Sequence, residues 1–230
     1  MESKVQVGFK GFPPETPGFL KSLGENNNKL WFEANRDSYE RYVLEPLKQL
    51  VADIGYFMLT IDPLFEITPA VDKTICRIYR DVRFSKDKSP YRNNMWITFK
   101  RCGKEWKGDP VYFFEIFPDW YRFGIGFYSA SKDTMDNLRK NIDEKPKELL
   151  KAISFYSNGS DFILEGEKYK KIIDASKPPE IQEWYQLKNL YITCNRKIDN
   201  RFFSRDIVDD LISGFKLTIP LYNYLWKVKV

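Results

Sequence analysis

The chain reads as an α+β protein, a single domain over residues 1–230 with a mainly antiparallel central sheet packed by helices from its N-terminal and C-terminal regions. Three observations predict this. Segments of helical period come first, β-branched and aromatic segments fill the middle, and helical period returns near the end, so strands and helices do not alternate. The turns between the middle segments are short, which suits antiparallel neighbours. A chain of 230 residues, 43% apolar and 17% aromatic, can bury a large core without disulfide staples.

The elements follow in order. Residues 1–15 form an extended lead-in through Gly11-Phe12-Pro13-Pro14, and a short helix follows, capped by Thr16, with Pro17 at its first position and a stop at Gly24. Asn26, Asn27 and Asn28 offer N-caps for a long helix from about Lys29, where Trp31, Phe32, Tyr39, Tyr42 and Val43 recur at helical spacing. Glu45 precedes Pro46, so a break or kink is expected there, then a second helix carrying Leu47, Leu50, Val51 and Ile54. Asn35 lies near the buried stripe and must be hydrogen-bonded, either to brace a neighbouring loop or to face a site.

Residues 74–84, 95–101, 111–117 and 121–128 are rich in β-branched and aromatic types and are separated by turn formers, so all four are predicted strands. Ser131 or Asp133 opens a helix with Met135, Leu138 and Ile142, and Pro146 starts another. A hairpin is expected from 161–164 to 169–173 across Glu165-Gly166, and a further strand at 190–194. Ser204 caps a last helix that Pro220 interrupts.

Cys76, Cys102 and Cys194 are too few and too widely spaced for a disulfide framework or a zinc knuckle, and are expected to be reduced. The chain has no histidine, which excludes Ser-His-Asp and Cys-His systems, His-ligated zinc and an imidazole base. Chemistry, if any, falls to carboxylates, Lys, Tyr, Cys or an oxygen-ligated metal. No apolar run approaches the ~20 residues that span a bilayer, and the N-terminus lacks a leader pattern, so no membrane partner is expected and a cytoplasmic location is.

The positive charge is local. Residues 73–107 hold 11 Lys or Arg against 3 acids, while the whole chain is only +5. Tyr79, Phe84, Tyr91, Trp96 and Phe99 are interleaved, a pattern that suits an anionic and planar partner. Taken as a strand, the segment puts Cys76, Ile78, Arg80, Val82 and Phe84 on one face, so Arg80 should point inward against a carboxylate such as Glu66 or Glu115. Arg77 and Arg83 share the other face with Asp81, either as an anion fork or as a solvated strand face. In the following turn Asp87 closes the chain through its own side chain, Tyr91 packs inward, and Lys86 and Lys88 reach outward. Gly124 and Gly126 precede a helix but lack the final glycine and the βαβ setting of a phosphate turn, and close strand packing explains them better.

The motif Arg77-x-x-Arg80-Asp81-x-Arg83-Phe84-x-x-Asp87-Lys88-x-x-Tyr91 resembles the signature of the family called domain of unknown function 2461 (DUF2461), with Phe19-Leu20, Asn26-Asn27, Trp31-Phe32, Tyr39, Gly126-x-Tyr128 and Leu138-Arg139 extending the likeness. The resemblance implies no activity, cofactor or partner, but it does imply that the Asn26-Asn27 turn, the Arg77–Tyr91 segment and Arg139 gather at one site or one brace. Three readings stay open. One is a small-anion site for phosphate, nucleotide or carboxylate, with Arg77, Arg83, Lys88, Tyr91 and Arg139 as ligand-binding residues and Arg80, Asp81, Asp87, Asn26, Asn27 and Trp31 as its frame. Its catalytic form would be metal-assisted phosphoester chemistry with Asp81 or Asp87 as an oxygen ligand, although no metal site or cofactor is assigned. The second is nucleic-acid binding through the basic aromatic window 73–107. The third is a non-catalytic structural or interaction module whose motif is a salt-bridged network.

Overall fold

The computed structural model describes residues 8–103, 105–156 and 160–230; residues 1–7 of the expected lead-in lie outside them. Helix α1 spans Glu15–Glu25, α2 Lys29–Ala34 and α3 Arg36–Tyr39, a π-helical turn covers Glu40–Leu44, and α4 runs Glu45–Ile61. Strands β1 (Met95–Phe99), β2 (Pro110–Ile116) and β3 (Trp120–Phe127) come next, then α5 (Lys132–Glu144), α6 (Pro146–Ala152), β4 (Phe162–Glu165), α7 (Pro179–Tyr185), β5 (Tyr191–Lys197) and α8 (Asp206–Val228). The fold is α+β, and its five strands form one antiparallel sheet in the order β1-β2-β3-β5-β4. No helix among the described residues is long and apolar enough to cross a membrane.

The chain divides into two compact units, and β1, β2, β3, β5 and α8 each contribute residues to both. The first unit holds the residues up to Thr98, with Phe114–Tyr121 and Arg196–Ile212. Phe12 stacks on Phe202 at 4.6 Å between centroids and on Phe114 at 5.8 Å, so the lead-in is anchored by its aromatic residues. Asp53 accepts the Phe9 amide at 3.1 Å and pairs with Arg205, which also donates to the Phe9 carbonyl. Gly11 is obligatory here: its φ is +115°, and a Cβ would lie 2.3 Å from the Phe203 backbone.

The second unit holds Phe99–Phe113, Arg122–Asn195 and Ser213–Val230. Tyr112, Phe123 and Phe215 are all buried, and their rings meet edge-on at 5.1 and 5.8 Å. Gly124 brings β3 against β5: a Cβ would stand 1.9 Å from the Ile192 carbonyl oxygen, so strand packing accounts for this glycine.

Several expectations need correction. Residues 74–84 do not form a strand; isolated bridges join Ile75 to Ile97 and Tyr79 to Tyr91. The alternation placed Phe84 beside Ile78, yet Ile78 is buried and Phe84 is 95% exposed, because the chain bends at Ile78 and again at Arg83 and Phe84. Helix α1 starts at Glu15 with no side-chain cap, and the Thr16 hydroxyl instead donates to the Tyr42 carbonyl at 2.5 Å. Gly24 does not stop α1, which continues to Glu25. A Cβ at Gly24 would press on the Asn93 amide at 3.2 Å. Glu45 is helical and the helix does not break at Pro46: the π-helical turn at Glu40–Leu44 runs directly into α4, and the Tyr42 carbonyl, four residues before the proline, accepts the Thr16 hydroxyl. Residues 169–173 are not a strand, and β4 pairs with β5 instead. Pro220 lies inside α8 without ending it, at an exposed position.

Candidate functional site

The loop between Tyr79 and Tyr91 is closed at its base by the backbone. The Arg80 amide donates to the Pro90 carbonyl and the Arg92 amide to the Ile78 carbonyl, each at 2.9 Å. Within the loop almost every charge has a local partner. Arg83 forks onto Asp81 at 2.7 and 2.9 Å, Arg80 pairs with Asp87, and Arg77 lies 3.1 Å from Asp72. Lys88 donates to the Val82 carbonyl at 2.9 Å. Asp87 also accepts from the Ser89 hydroxyl and amide, which closes the turn through its side chain as the sequence suggested.

These bonds fix protonation. The Arg83 guanidinium holds the Asp81 carboxyl down to about 2. Hydrogen bonds from Ser89, then from Arg80, hold Asp87 well below the usual carboxylate range. Neither carboxyl can act as an acid near neutrality. Burial pushes the Cys76 thiol up to about 12 and also raises the Tyr91 hydroxyl.

Asn27 clamps this loop to the turn between α1 and α2. Its amide nitrogen donates to the Tyr91 carbonyl and its amide oxygen accepts the Tyr91 N–H, both at 2.9 Å, so one side chain pairs like a strand. The neighbouring asparagines serve helix ends: Asn28 caps α2 by accepting the Trp31 amide at 3.0 Å, and Asn26 donates to the Ser22 carbonyl of α1. Asn35 braces its own helix through the Trp31 carbonyl. Phe32 stacks on Tyr91 at 4.2 Å, and Trp31 packs on Phe19.

Beside the clamp lies a polar cleft of about 430 Å³ lined by Gly24, Asn27, Arg80, Asp87, Ser89, Tyr91, Arg92, Asn93 and Asn94. Arg92 stacks over Trp96 at 4.8 Å, and among the described residues it makes no ion pair. Asn94 donates to the buried Glu115 carboxylate at 2.6 Å. Four residues of the sequence motif and its upstream turn, Asn27, Arg80, Asp87 and Tyr91, line the cleft; Arg77, Asp81, Arg83 and Lys88 do not.

Arg80 is not the inward strand residue that alternation suggested. Its partner is Asp87 rather than Glu66 or Glu115, and its side chain is 25% exposed. Arg139 belongs to the second unit, where it is 8% exposed and donates to the carbonyls of Tyr185 at 3.0 Å and Leu187 at 2.6 Å, with Asp136 at 2.7 Å. Sequence reasoning passed over Arg92, Asn93 and Asn94. A run of three polar residues between the inward Tyr91 and the first strand was the available signal.

The fold and the cleft define an α+β protein in which a self-paired arginine loop, clamped by an asparagine, forms the wall of a polar recess. Residues 15–224 match the family described as "Conserved hypothetical protein (DUF2461)", and the chain belongs to that family. No curated protein matches the chain.

Proposed function

We propose that the protein binds a small anionic ligand, of the phosphate or carboxylate class, in the cleft beside Asn27. Arg92 carries this reading: it is a guanidinium held over Trp96 with no ion pair among the described residues, in a recess otherwise lined by Gly24, Tyr91, the amides of Asn27, Asn93 and Asn94, the Ser89 hydroxyl and the Arg80–Asp87 ion pair. A guanidinium offers a planar fork to either oxyanion, and aromatic stacking orients that fork while leaving its charge in place. Arg80, whose charge Asp87 balances, adds guanidinium N–H donors rather than net charge. The amides of Asn93 and Asn94 add neutral donors and acceptors that hold orientation. The anion-binding role expected of Arg77, Arg83, Lys88 and Arg139 passes in this reading to Arg92, since the first four already donate to Asp72, Asp81, the Val82 carbonyl and the Tyr185 and Leu187 carbonyls, as Arg80 does to Asp87. Tyr91 remains a wall. The role proposed is binding, not catalysis, because Asp87 stays ionised and no imidazole is present.

Calorimetric titration with inorganic phosphate and a nucleoside monophosphate tests this. Losing a charge-assisted contact should weaken binding by about 10-fold or more in Arg92→Ala, while Arg83→Ala binds as the parent does. An Arg92→Ala protein that binds as tightly as the parent would remove the cleft from consideration.

A further inference from the structure

We infer, resting on the anion-binding role proposed above, that the ligand of the cleft is a hydroxylated oxyanion, a sugar phosphate or a sugar acid, rather than a nucleotide or a bare anion. The observation behind it is that an ionised carboxylate shares the recess with Arg92. Asp87 lines the cleft, held ionised by Ser89 and Arg80. Arg80 balances its charge, yet like charge still keeps the oxyanion end of a ligand away from its oxygens.

A ligand hydroxyl suits those oxygens. Asp87 accepts the Ser89 amide at 2.9 Å, the Ser89 hydroxyl at 2.6 Å and the Arg80 guanidinium. A carboxylate has about four acceptor sites, so one more donor can be taken. The asparagines add the same preference. Asn93 is exposed, and its side chain makes no hydrogen bond among the described residues. Asn94 gives its amide nitrogen to Glu115 and keeps its amide oxygen. An amide donates and accepts, and so does a hydroxyl, so a polyol can answer both kinds of group. A fully ionised oxyanion only accepts, and leaves Asp87 and the amide oxygens without a ligand partner.

A nucleobase gains most from an open ring face. Tyr91 is the aromatic residue of the lining, and it is 2% exposed with its ring stacked on Phe32 at 4.2 Å. Trp96 already carries Arg92. The volume of about 430 Å³ lies in the range of small-molecule sites, and a bare phosphate or acetate would leave most of it to water.

The test is calorimetric titration with two matched pairs, ribose 5-phosphate against ethyl phosphate and glucuronate against acetate. A few neutral hydrogen bonds should make the hydroxylated member of one pair bind about 10-fold or more tightly than its partner, and the pair that responds tells sugar phosphate from sugar acid. Adenosine monophosphate should bind no more tightly than ribose 5-phosphate. Asn93→Ala, at an exposed position and with its folding checked by a thermal melt, should narrow the gap within the responding pair by about 3-fold or more. The inference is overturned, with the anion site left standing, if affinities are equal within both pairs while Arg92→Ala still weakens them. It is equally overturned if Asn93→Ala leaves the gap intact, or if adenosine monophosphate binds about 10-fold more tightly than ribose 5-phosphate, the gain a stacked base would bring. If none of these anions binds, or Arg92→Ala changes nothing, the binding role itself fails and this inference with it.

Discussion

Between Arg77 and Lys88 each cation but Lys86 faces a carboxylate or a carbonyl close by in sequence, whereas Arg92, at the start of the stretch that leads into β1, lies over the Trp96 ring and makes no ion pair among the described residues. A charge count treats the two alike. Physically they differ: the paired cations hold a loop in shape, whereas a guanidinium on a ring keeps its charge. Arg92 also lines the cleft that the paired loop shapes. The density of arginine in a motif is thus a poor guide to where an anion binds. The arginines without acidic neighbours are the better guide.

The contrast can be broken at several points. The largest effect belongs to an arginine fully committed to structure. Arg139 is buried and donates to two backbone carbonyls, so Arg139→Met should destabilise the protein by about 3 kcal/mol in urea denaturation. A neutral result would mean those carbonyls find other donors. Next comes the clamp: Asn27→Ala removes both hydrogen bonds to the buried Tyr91 backbone and should cost about 2 kcal/mol, with weaker phosphate binding in the cleft. Loss of stability without loss of binding would separate the clamp from the site.

A smaller effect is pH-dependent. The Asp81 carboxyl is held at about 2, below its unfolded value of about 3.9, so its pairing with Arg83 is fully present above pH ~4 and is lost as pH falls through about 2. A carboxyl-carbon titration by NMR should place the Asp81 midpoint near 2, and a midpoint near 4 would show that the loop does not hold Arg83 in place. Smallest of all, Arg83→Ala should leave the melting temperature unchanged, since both partners are exposed to solvent.

The middle strands and both end regions of helix were legible because their periodicity and turn residues agree with the fold. Residues 74–84 misled because β-branched and aromatic composition reports a half-buried surface, not a ladder, and this stretch finds only single bridges. The site was legible in its parts: Asp87 as a turn residue, Tyr91 as an inward ring and the asparagine turn as a helix cap were all readable from local chemistry. The pairings were not. Arg80 meets Asp87 across a turn, and Asn27 meets Tyr91 over 64 residues, contacts set by tertiary closure that no spacing rule encodes. Pro220 misled as well: the helical stretches on both sides of it carry α8 through the proline.

The Asn27 clamp also has a kinetic meaning. Two strands separate by breaking a ladder bond by bond, and their neighbours resist. Here both bonds to Tyr91 run to one amide plane, so a single rotation of the Asn27 side chain releases them together while the α1–α2 turn and the loop backbone stay in place. That wall of the cleft can therefore loosen by turning one side chain rather than by separating strands. On the proposed binding reading, an anion would enter past Asn27 with the fold intact.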